Sequence, residues 1–304
     1  MPQISVIIPV YNVEQHLEKC LDSVLKQTFK DMEVICVNDG STDGCAEILE
    51  KFAAKDNRLK ILTQKNQGLS AARNNGLAVA TSKHIAYVDS DDFVHPQFLE
   101  ILYKAAIEND ADVSGCNFCK IYNDDNLPDL NNAKPKEYQP ALNVLMNRKN
   151  FIHFNVWNKL YKEELIRDIP FVNGIYFEDW VYNCCVFAKA RNFVWVNEKL
   201  YGYRISDNSI MRSSFNHKKL DDYVAGIHCV RKFYKEKYPQ LWPLVRDTRI
   251  ARTVKMMMNS ARRSRNIKLI ADAKIALKKL YNLKLIGYKG LSLPNKIKLF
   301  YFLH

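Results

Sequence analysis

The sequence predicts an α/β protein with a helical, basic C-terminal region, and three observations carry that expectation. Short runs rich in Val and Ile alternate with longer segments of helical period, polar residues gather where the apolar runs end, and the last third shows helical patterning with Lys and Arg in excess.

The apolar runs are "ISVIIPV" (4 to 10), "EVICV" (33 to 37), "LKILT" (59 to 63), "HIAYV" (84 to 88) and "DVSGC" (112 to 116). Strands this apolar are expected to be covered on both faces. Between them, "VEQHLEKCLDSVLKQ" sets Val13, Leu17, Leu21, Val24 and Leu25 on one stripe, and "CAEILEKFAAK" and "GLSAARNNGLAVA" read as crossover helices. A βαβ succession around a mostly parallel sheet follows, which puts a ligand crevice at the carboxyl ends of the strands.

Composition sets the bounds. A chain of 304 residues with 47% hydrophobic content suits one large α/β domain with an appendage. No run approaches the roughly 18 apolar residues of a membrane span, and "MPQISVIIPVYN" shows no cationic leader, so a cytoplasmic protein is expected. The eight cysteines show no disulfide-framework spacing and read as reduced, buried thiols. Cys116 and Cys119 form a C-x-x-C that lacks both the second ligand pair zinc needs and the helix N-terminus of a redox motif. The net charge of +12 is uneven: from Arg212 onward 22 Lys/Arg stand against 5 Asp/Glu. No nucleic-acid-binding signature accompanies that charge, so nucleic acid is not an expected partner.

Four strands deliver polar loops to one rim: "PVYN" (9 to 12), "NDGSTDG" (38 to 44), "QKNQG" (64 to 68) and "DSDD" (89 to 92). Turns and helix caps account for much of "NDGSTDG", where Ser41, Thr42 or Asp43 can cap the next helix. They do not account for Asp89, Asp91 and Asp92 together, since one cap needs one carboxylate and the others repel it. Carboxylates at i and i+2 leaving a strand can aim oxygens at one hard divalent cation that keeps positions open for phosphate oxygens.

In this order and spacing, "VIIPVYN", "VNDGSTDG", "NQGLSAARNNG" and "AYVDSDD" resemble the nucleotide-sugar-binding half of glycosyltransferase family 2 over residues 1 to about 117. The resemblance implies the GT-A fold, a Rossmann-like sheet flanked by helices, and an inverting, metal-dependent transferase that takes a sugar from a nucleotide-sugar, usually a UDP-sugar with Mn²⁺ or Mg²⁺. It implies that Pro9, Val10, Tyr11 and Asn12 floor the nucleoside site and that Asp39 accepts the uracil imide N–H. Gln67, Gly68 and Arg73 would close over the base, Arg73 pairing with Asp39 or Asp91 or serving as a structural ion-pair partner. Asp89, with Ser90 beside it, would meet ribose or the metal's water shell, Asp91 would be the principal metal ligand, and Asp92 would bind sugar hydroxyls or cap the helix near Pro96.

Past residue 150 the resemblance continues in "NVWNKLYKEELI", "GIYFEDWVYNCCVFAKA" and "LYGYRISDNSIM", which are similar to the acceptor side of a bacterial subgroup. There Glu178 and Asp179 would hold the catalytic base, with Asp179 preferred, unless they simply cap their helix. Arg204 and Ser209 resemble a diphosphate clamp. Trp157, Asn158 and Trp180 would contact acceptor sugars, core packing being the alternative for both tryptophans. The expected division is residues 1–117 for donor binding, 118–211 for the acceptor side and 212–304 for the basic helices. Residues 118 to 150 read as a surface loop with a helix beginning near Pro140.

Met256, Met257 and Met258 read as packing residues, and "NDDN" (123 to 126) as a solvated turn. The closing "LSLPNKIKLFYFLH" looks amphipathic, so the basic C-terminal helices either bind the anionic inner face of the plasma membrane peripherally or dock on the core. The expected acceptor is a glycan or lipid-linked glycan of cell-surface polysaccharide or lipopolysaccharide synthesis, and homo-oligomerisation is left open. The alternative is a sugar-nucleotide-binding protein of the same fold, with pyrophosphorylase activity or without catalysis. The former should carry a Gly-rich basic loop where this chain has "PVYN", and the latter should have lost Asp89, Asp91 or Asp179.

Overall fold

The structure, a computed structural model, describes residues 1–122, 127, 135–140, 154–205 and 214–282, with backbone alone at 135–140 and 281–282. These residues fall into two compact units. The first lies within Met1–Ala141, Phe154–Gly174 and Lys189–Ser206, and the described part of the second comprises residues 175–188 and 214–282.

The first unit holds the sheet. In chain order it runs β1 (Ile4–Val10), α1 (Glu14–Leu25), β2 (Met32–Asn38), α2 (Cys45–Ala53), β3 (Leu59–Thr63), α3 (Leu69–Val79), β4 (His84–Tyr87), β5 (Phe93–Val94), α4 (Phe98–Glu108), β6 (Val113–Ile121), β7 (Pro135–Pro140), β8 (Lys159–Lys162), α5 (Glu163–Ile166) and β9 (Asn192–Arg204). The strand order is β3-β2-β1-β4-β8-β6-β9-β5, with β7 paired to β9. The pairs β1–β2, β1–β4 and β2–β3 are parallel, as the alternating pattern predicts. Beyond β4 the sheet is mixed, because β8 runs antiparallel to both β4 and β6 while β9 runs parallel to β6.

Every residue of β1 and β2 is buried, consistent with helices covering both faces. β3 departs from that expectation: as the edge strand it leaves Lys60, Ile61 and Thr63 exposed. The α1 stripe buries Leu17, Cys20, Leu21 and Val24. α3 approaches β1 so closely that a Cβ on Gly76 would lie 2.5 Å from Ile7 Cγ2. Part of the stretch read as a loop is strand: β6 extends to Ile121, and residues 135–140 form β7. Residues 123–126 and the helix expected beyond Pro140 lie outside the described residues.

The second unit is helical: α6 (Glu178–Lys189, whose last residue belongs to the first unit), α7 (His217–Lys237), α8 (Trp242–Val245), a π-helical turn (Arg246–Ile250), α9 (Ala251–Arg263) and α10 (Ile267–Asn282). The Asn216 side chain caps α7 by accepting from Lys219 N at 2.9 Å. The Tyr234 hydroxyl donates to Cys184 O at 2.7 Å and so fastens α7 to α6. In α9 Met257 and Met258 are buried and Met256 is exposed, the pattern of packing residues on one helix face. No described helix is long and apolar enough to cross a membrane. All eight cysteines are free thiols, six of them buried, and burial pushes the Cys116 thiol up to about 12.

One buried charge organises the end of the sheet away from the polar rim. Glu33 on β2, 3% exposed, accepts from Ser5 Oγ (2.6 Å), Thr81 N and Oγ1 (both 2.8 Å) and Lys60 Nζ (2.7 Å). Burial alone would raise its pKa, but these donors outweigh burial and hold it at about 2. A depressed carboxylate stabilises the fold above its unfolded value near 4.5 and loses that contribution as pH falls toward 2. Glu33→Gln is therefore expected to destabilise the protein by about 1–3 kcal/mol at neutral pH. In urea unfolding, the gap from wild type should narrow through that acid window.

Candidate active site

β1, β2, β3 and β4 are parallel, so their carboxyl ends share one edge of the sheet. β6 and β9 run in the same direction, because two antiparallel pairings through β8 restore it. The loops after β1 to β4 and the end of β9 at Arg204 thus meet on one rim, all within the first unit.

The first two loops are stitched together. Val10 O, at the buried end of the Pro9–Val10 pair, accepts from Asp39 N at 2.8 Å. Asn12, with φ at +48°, donates from N to Ser41 Oγ (3.2 Å) and accepts at Oδ1 from Thr42 N (2.8 Å). Asp43 accepts from Glu14 N (3.0 Å) and Cys45 N (3.1 Å), which are the first residues of α1 and α2, so one carboxylate serves two helix starts. Glu14 returns the contact by accepting from Gly44 N at 2.6 Å. Tyr11 stands out of this clamp, 50% exposed.

Asp39 is buried and holds the third loop. Its Oδ1 accepts from Gln64 Nε2 (2.7 Å) and Gln67 N (2.8 Å), and its Oδ2 accepts from Gly68 N (2.8 Å). Gln64 is turned toward it by Asn75 Nδ2, 2.6 Å from Gln64 Oε1. Gly40, at φ +73°, cannot take a side chain without strain, since its Cβ would lie 3.0 Å from Asn66 N. Three of the roughly four lone-pair directions on Asp39 are used, leaving one on Oδ2 for a ligand donor.

The three carboxylates after β4 have three different environments. Asp89 pairs with Arg73 of α3 at 2.8 Å; the expectation for Arg73 was a pairing with Asp39 or Asp91 or a structural ion-pair role, and its observed partner is neither of those two acids. Phe171 faces the same guanidinium at 5.2 Å. Asp92 is 2% exposed, and both its oxygens are engaged, Oδ2 by the Tyr201 hydroxyl (2.8 Å) and Oδ1 by Arg204 N (2.7 Å). Both contacts fasten the loop to β9. Ser90 beside it is buried. Burial and its two acidic neighbours push the Asp92 carboxyl well above the usual range.

Asp91 remains. Among the described residues no side-chain donor reaches its carboxylate, while Arg204 Nε donates to its backbone O at 3.0 Å. Burial first, and Asp89 next, push its pKa up to about 6, against the pull of its own backbone N–H and, more mildly, of Arg204 and Arg73. A carboxylate destabilised in its charged form, with no side-chain donor from the described residues, is what a hard cation would relieve, so Asp91 with Asp89 fits Mg²⁺ or Mn²⁺. Among the described residues no three His, Cys, Asp or Glu side chains group into a ready cage. Such a cation would thus rely on ligand oxygens as well, the habit of Mg²⁺ at phosphates.

Trp157, for which core packing was the alternative to an acceptor contact, and Asn158, expected at the acceptor, both lie buried. Trp157 is buried and stacks on Tyr201 (4.3 Å between centroids) and Tyr203 (5.4 Å). Asn158 is buried too, donating to Cys116 O at 2.6 Å and accepting from Lys159 Nζ at 2.8 Å. In the second unit, Glu178 and Asp179 open α6 after Phe177, which has φ +64° and stacks on Tyr223 at 4.3 Å. Glu178 is buried and Asp179 half-buried. Trp180 is half-buried, its ring close to Gly226 and its Nε1 without a hydrogen-bond partner among the described residues. Ser209 lies outside the described residues. Tyr201 was not foreseen, although it stands three residues before Arg204 in "LYGYR"; Asp43 was among the candidate caps for α2, and what the sequence did not show is its second contact, with Glu14 N at the start of α1.

The model of glycosyl transferase family 2 matches residues 5–170. This chain belongs to that family. GlyA, a glycosyltransferase of Streptococcus pneumoniae serotype 4, is 36% identical over 219 residues, covering 69% of this chain and 32% of GlyA. The chain thus spans about a third of that relative's length. Among solved structures, S. aureus TarS 1-349 in complex with UDP-GlcNAc matches with a TM-score of 0.70 at 21% identity, over 90% of this chain and 81% of that one. The mannosyltransferase PcManGT of Pyrobaculum calidifontis, in complex with GDP-Man and Mn²⁺, matches at 0.53 and 16% identity over 99% of this chain and 79% of that one. Both likenesses are of fold, and they agree with the GT-A architecture.

Tyr201 is the joint of the family 2 rim, because its hydroxyl also accepts from Asp89 N at 3.1 Å. Tyr201→Phe leaves that N–H and one Asp92 oxygen without their partner, and is expected to lower unfolding stability by about 1–3 kcal/mol in urea titrations.

Proposed function

We propose that this chain is an inverting glycosyltransferase that moves a sugar from a UDP-sugar to a hydroxyl of a glycan or lipid-linked glycan acceptor in cell-surface polysaccharide synthesis. The observation that carries the reading is the rim itself, where an exposed Tyr11, a loop-held Asp39, the Asp89–Arg73 pair, Asp91 and Arg204 stand at the carboxyl ends of neighbouring strands. Family membership and the nucleotide-sugars in the TarS and PcManGT complexes support the donor class.

Tyr11 packs against the base or ribose, and the remaining Asp39 lone pair accepts the uracil imide N–H, a donor that cytosine lacks. A divalent cation, Mn²⁺ or Mg²⁺, held by Asp91 with Asp89, would supply positive charge beside the diphosphate. Arg204 adds fixed charge where the leaving UDP gains negative charge as its bond to the anomeric carbon breaks. Asp179 takes the proton of the acceptor hydroxyl as that oxygen attacks from the opposite face. It stands in the first turn of α6 and is less buried than Glu178.

Calorimetric titration with UDP, with and without Mn²⁺, tests the reading, and a panel of UDP-sugars names the donor. Binding that depends on Mn²⁺ is expected, and its absence with every UDP ligand overturns the UDP assignment. Asp91→Ala should reduce Mn²⁺-dependent UDP affinity by at least about tenfold. Asp179→Asn should keep donor binding within a few-fold of wild type while losing on the order of 10²–10⁴ in transfer rate, read as kcat against KM once an acceptor is in hand.

A further inference from the structure

α10 carries a face that the second unit leaves outside. Its inner stripe, Leu269, Ala273, Leu277 and Leu280, is buried. A helix turns about 100° per residue, so residues 267, 268, 271, 275, 278 and 279 share a sector of about 120° on the other side. Ile267, 84% exposed, and Ile275, 65% exposed, stand there with exposed Ala271 between them. Lys268, Lys278 and Lys279 border them, all exposed, and no ion pair engages any of the three among the described residues. Asp272, the one acid of the helix, lies at the margin of the sector and bonds His217 at 2.9 Å. Arg263 and Arg265 extend the exposed basic border into the turn before α10. The two isoleucines are eight residues apart, about 12 Å along the axis.

Charge complementarity selects the occupant. Residues 283–304 carry four lysines and no acid, so laying them on this face would bring cations against cations. A second copy docked through the same face meets the same repulsion. An anionic lipid surface takes both components, because isoleucines enter the acyl boundary while lysine heads stay with the phosphates. We propose that the outward face of α10, led by Ile267 and Ile275, docks this protein on an anionic bilayer. The assignment stands on this helix alone and does not depend on the donor chemistry.

Flotation of the full chain with phosphatidylcholine vesicles, with and without phosphatidylglycerol, tests it. The wild type is expected to partition onto the phosphatidylglycerol vesicles, and far less onto neutral ones or in high salt. Ile267→Ser with Ile275→Ser should weaken partitioning at least about tenfold. Lys268→Gln, Lys278→Gln and Lys279→Gln together should weaken it on the order of a hundredfold, at roughly 1 kcal/mol per cation. All five side chains are exposed, so unchanged melting of both variants is expected and checks that the fold survives. Wild-type flotation by the double isoleucine variant overturns the proposal, as does a wild type that ignores both vesicle types. A dimer that the isoleucine variant dissolves, without vesicle binding, would reassign the face to self-association. UDP titration of the same variants keeps this outcome separate from the proposed function: intact UDP binding with lost flotation supports the docking face, and lost UDP binding in the wild type leaves the flotation result standing.

Discussion

The rim depends on how the repulsion among three carboxylates in four residues, Asp89 to Asp92, is contained. Left alone, three such charges would favour an open, solvated loop. Here α3 reaches across with Arg73 to take Asp89, and β9 brings the Tyr201 hydroxyl and the Arg204 amide to take Asp92. Elements far apart in sequence are thereby fixed to the end of β4, and the third carboxylate is set in place with no side-chain donor from the described residues. The containment serves structure at two of the acids, and on the proposed function the charge of the third would be met by a ligand.

This division explains what the sequence reveals and what it conceals. The ends of β1 to β4 are legible because long apolar runs stop at Asn, Asp and Gly, and parallel connection through amphipathic helices forces those ends to one edge. The exposure of β3 is not legible, since "LKILT" reads the same in the middle of a sheet as at its edge. Nor can "DSDD" say which acid turns inward, because the answer lies with Tyr201, more than a hundred residues away. Trp157 stays open in the sequence for the same reason: a sugar platform and a core residue read alike until Tyr201 and Tyr203 are found stacked on it. The mixed part of the sheet depends on register between β6, β8 and β9, and such non-local pairing leaves little trace in any one strand.

The stitched loops show how a ligand site gains rigidity without a regular element beneath it. Asn12, Ser41, Thr42, Asp43 and Glu14 exchange hydrogen bonds between two loops, so Tyr11 projects from a frame and Asp39 is held by its own amide on Val10 O. The side chains that make this frame are the small polar ones that also form turns, which is why turn propensity alone accounts for "NDGSTDG" in the sequence. What turn propensity misses is reciprocity. Each loop caps the other, and losing one partner would leave the donors of both without acceptors.

Charge is distributed to opposite effect in the two units. A nucleoside diphosphate is an anion, and the rim it would enter is acidic, so the carboxylates repel the ligand unless positive charge intervenes. Arg73 is committed to Asp89, and Arg204 keeps its charge while its Nε bonds a backbone oxygen, so two guanidinium groups face Asp39, Asp89, Asp91 and Asp92 and offset the acids of the rim only in part. Electrostatics alone therefore argues that the donor arrives with a cation. α10 presents the reverse case, with isoleucines among lysines and the one acid of the helix set at the margin. On the docking proposed for it, the lysines would meet lipid phosphates while the isoleucines enter the apolar layer beneath, which is what separates this face from a merely solvated row of lysines.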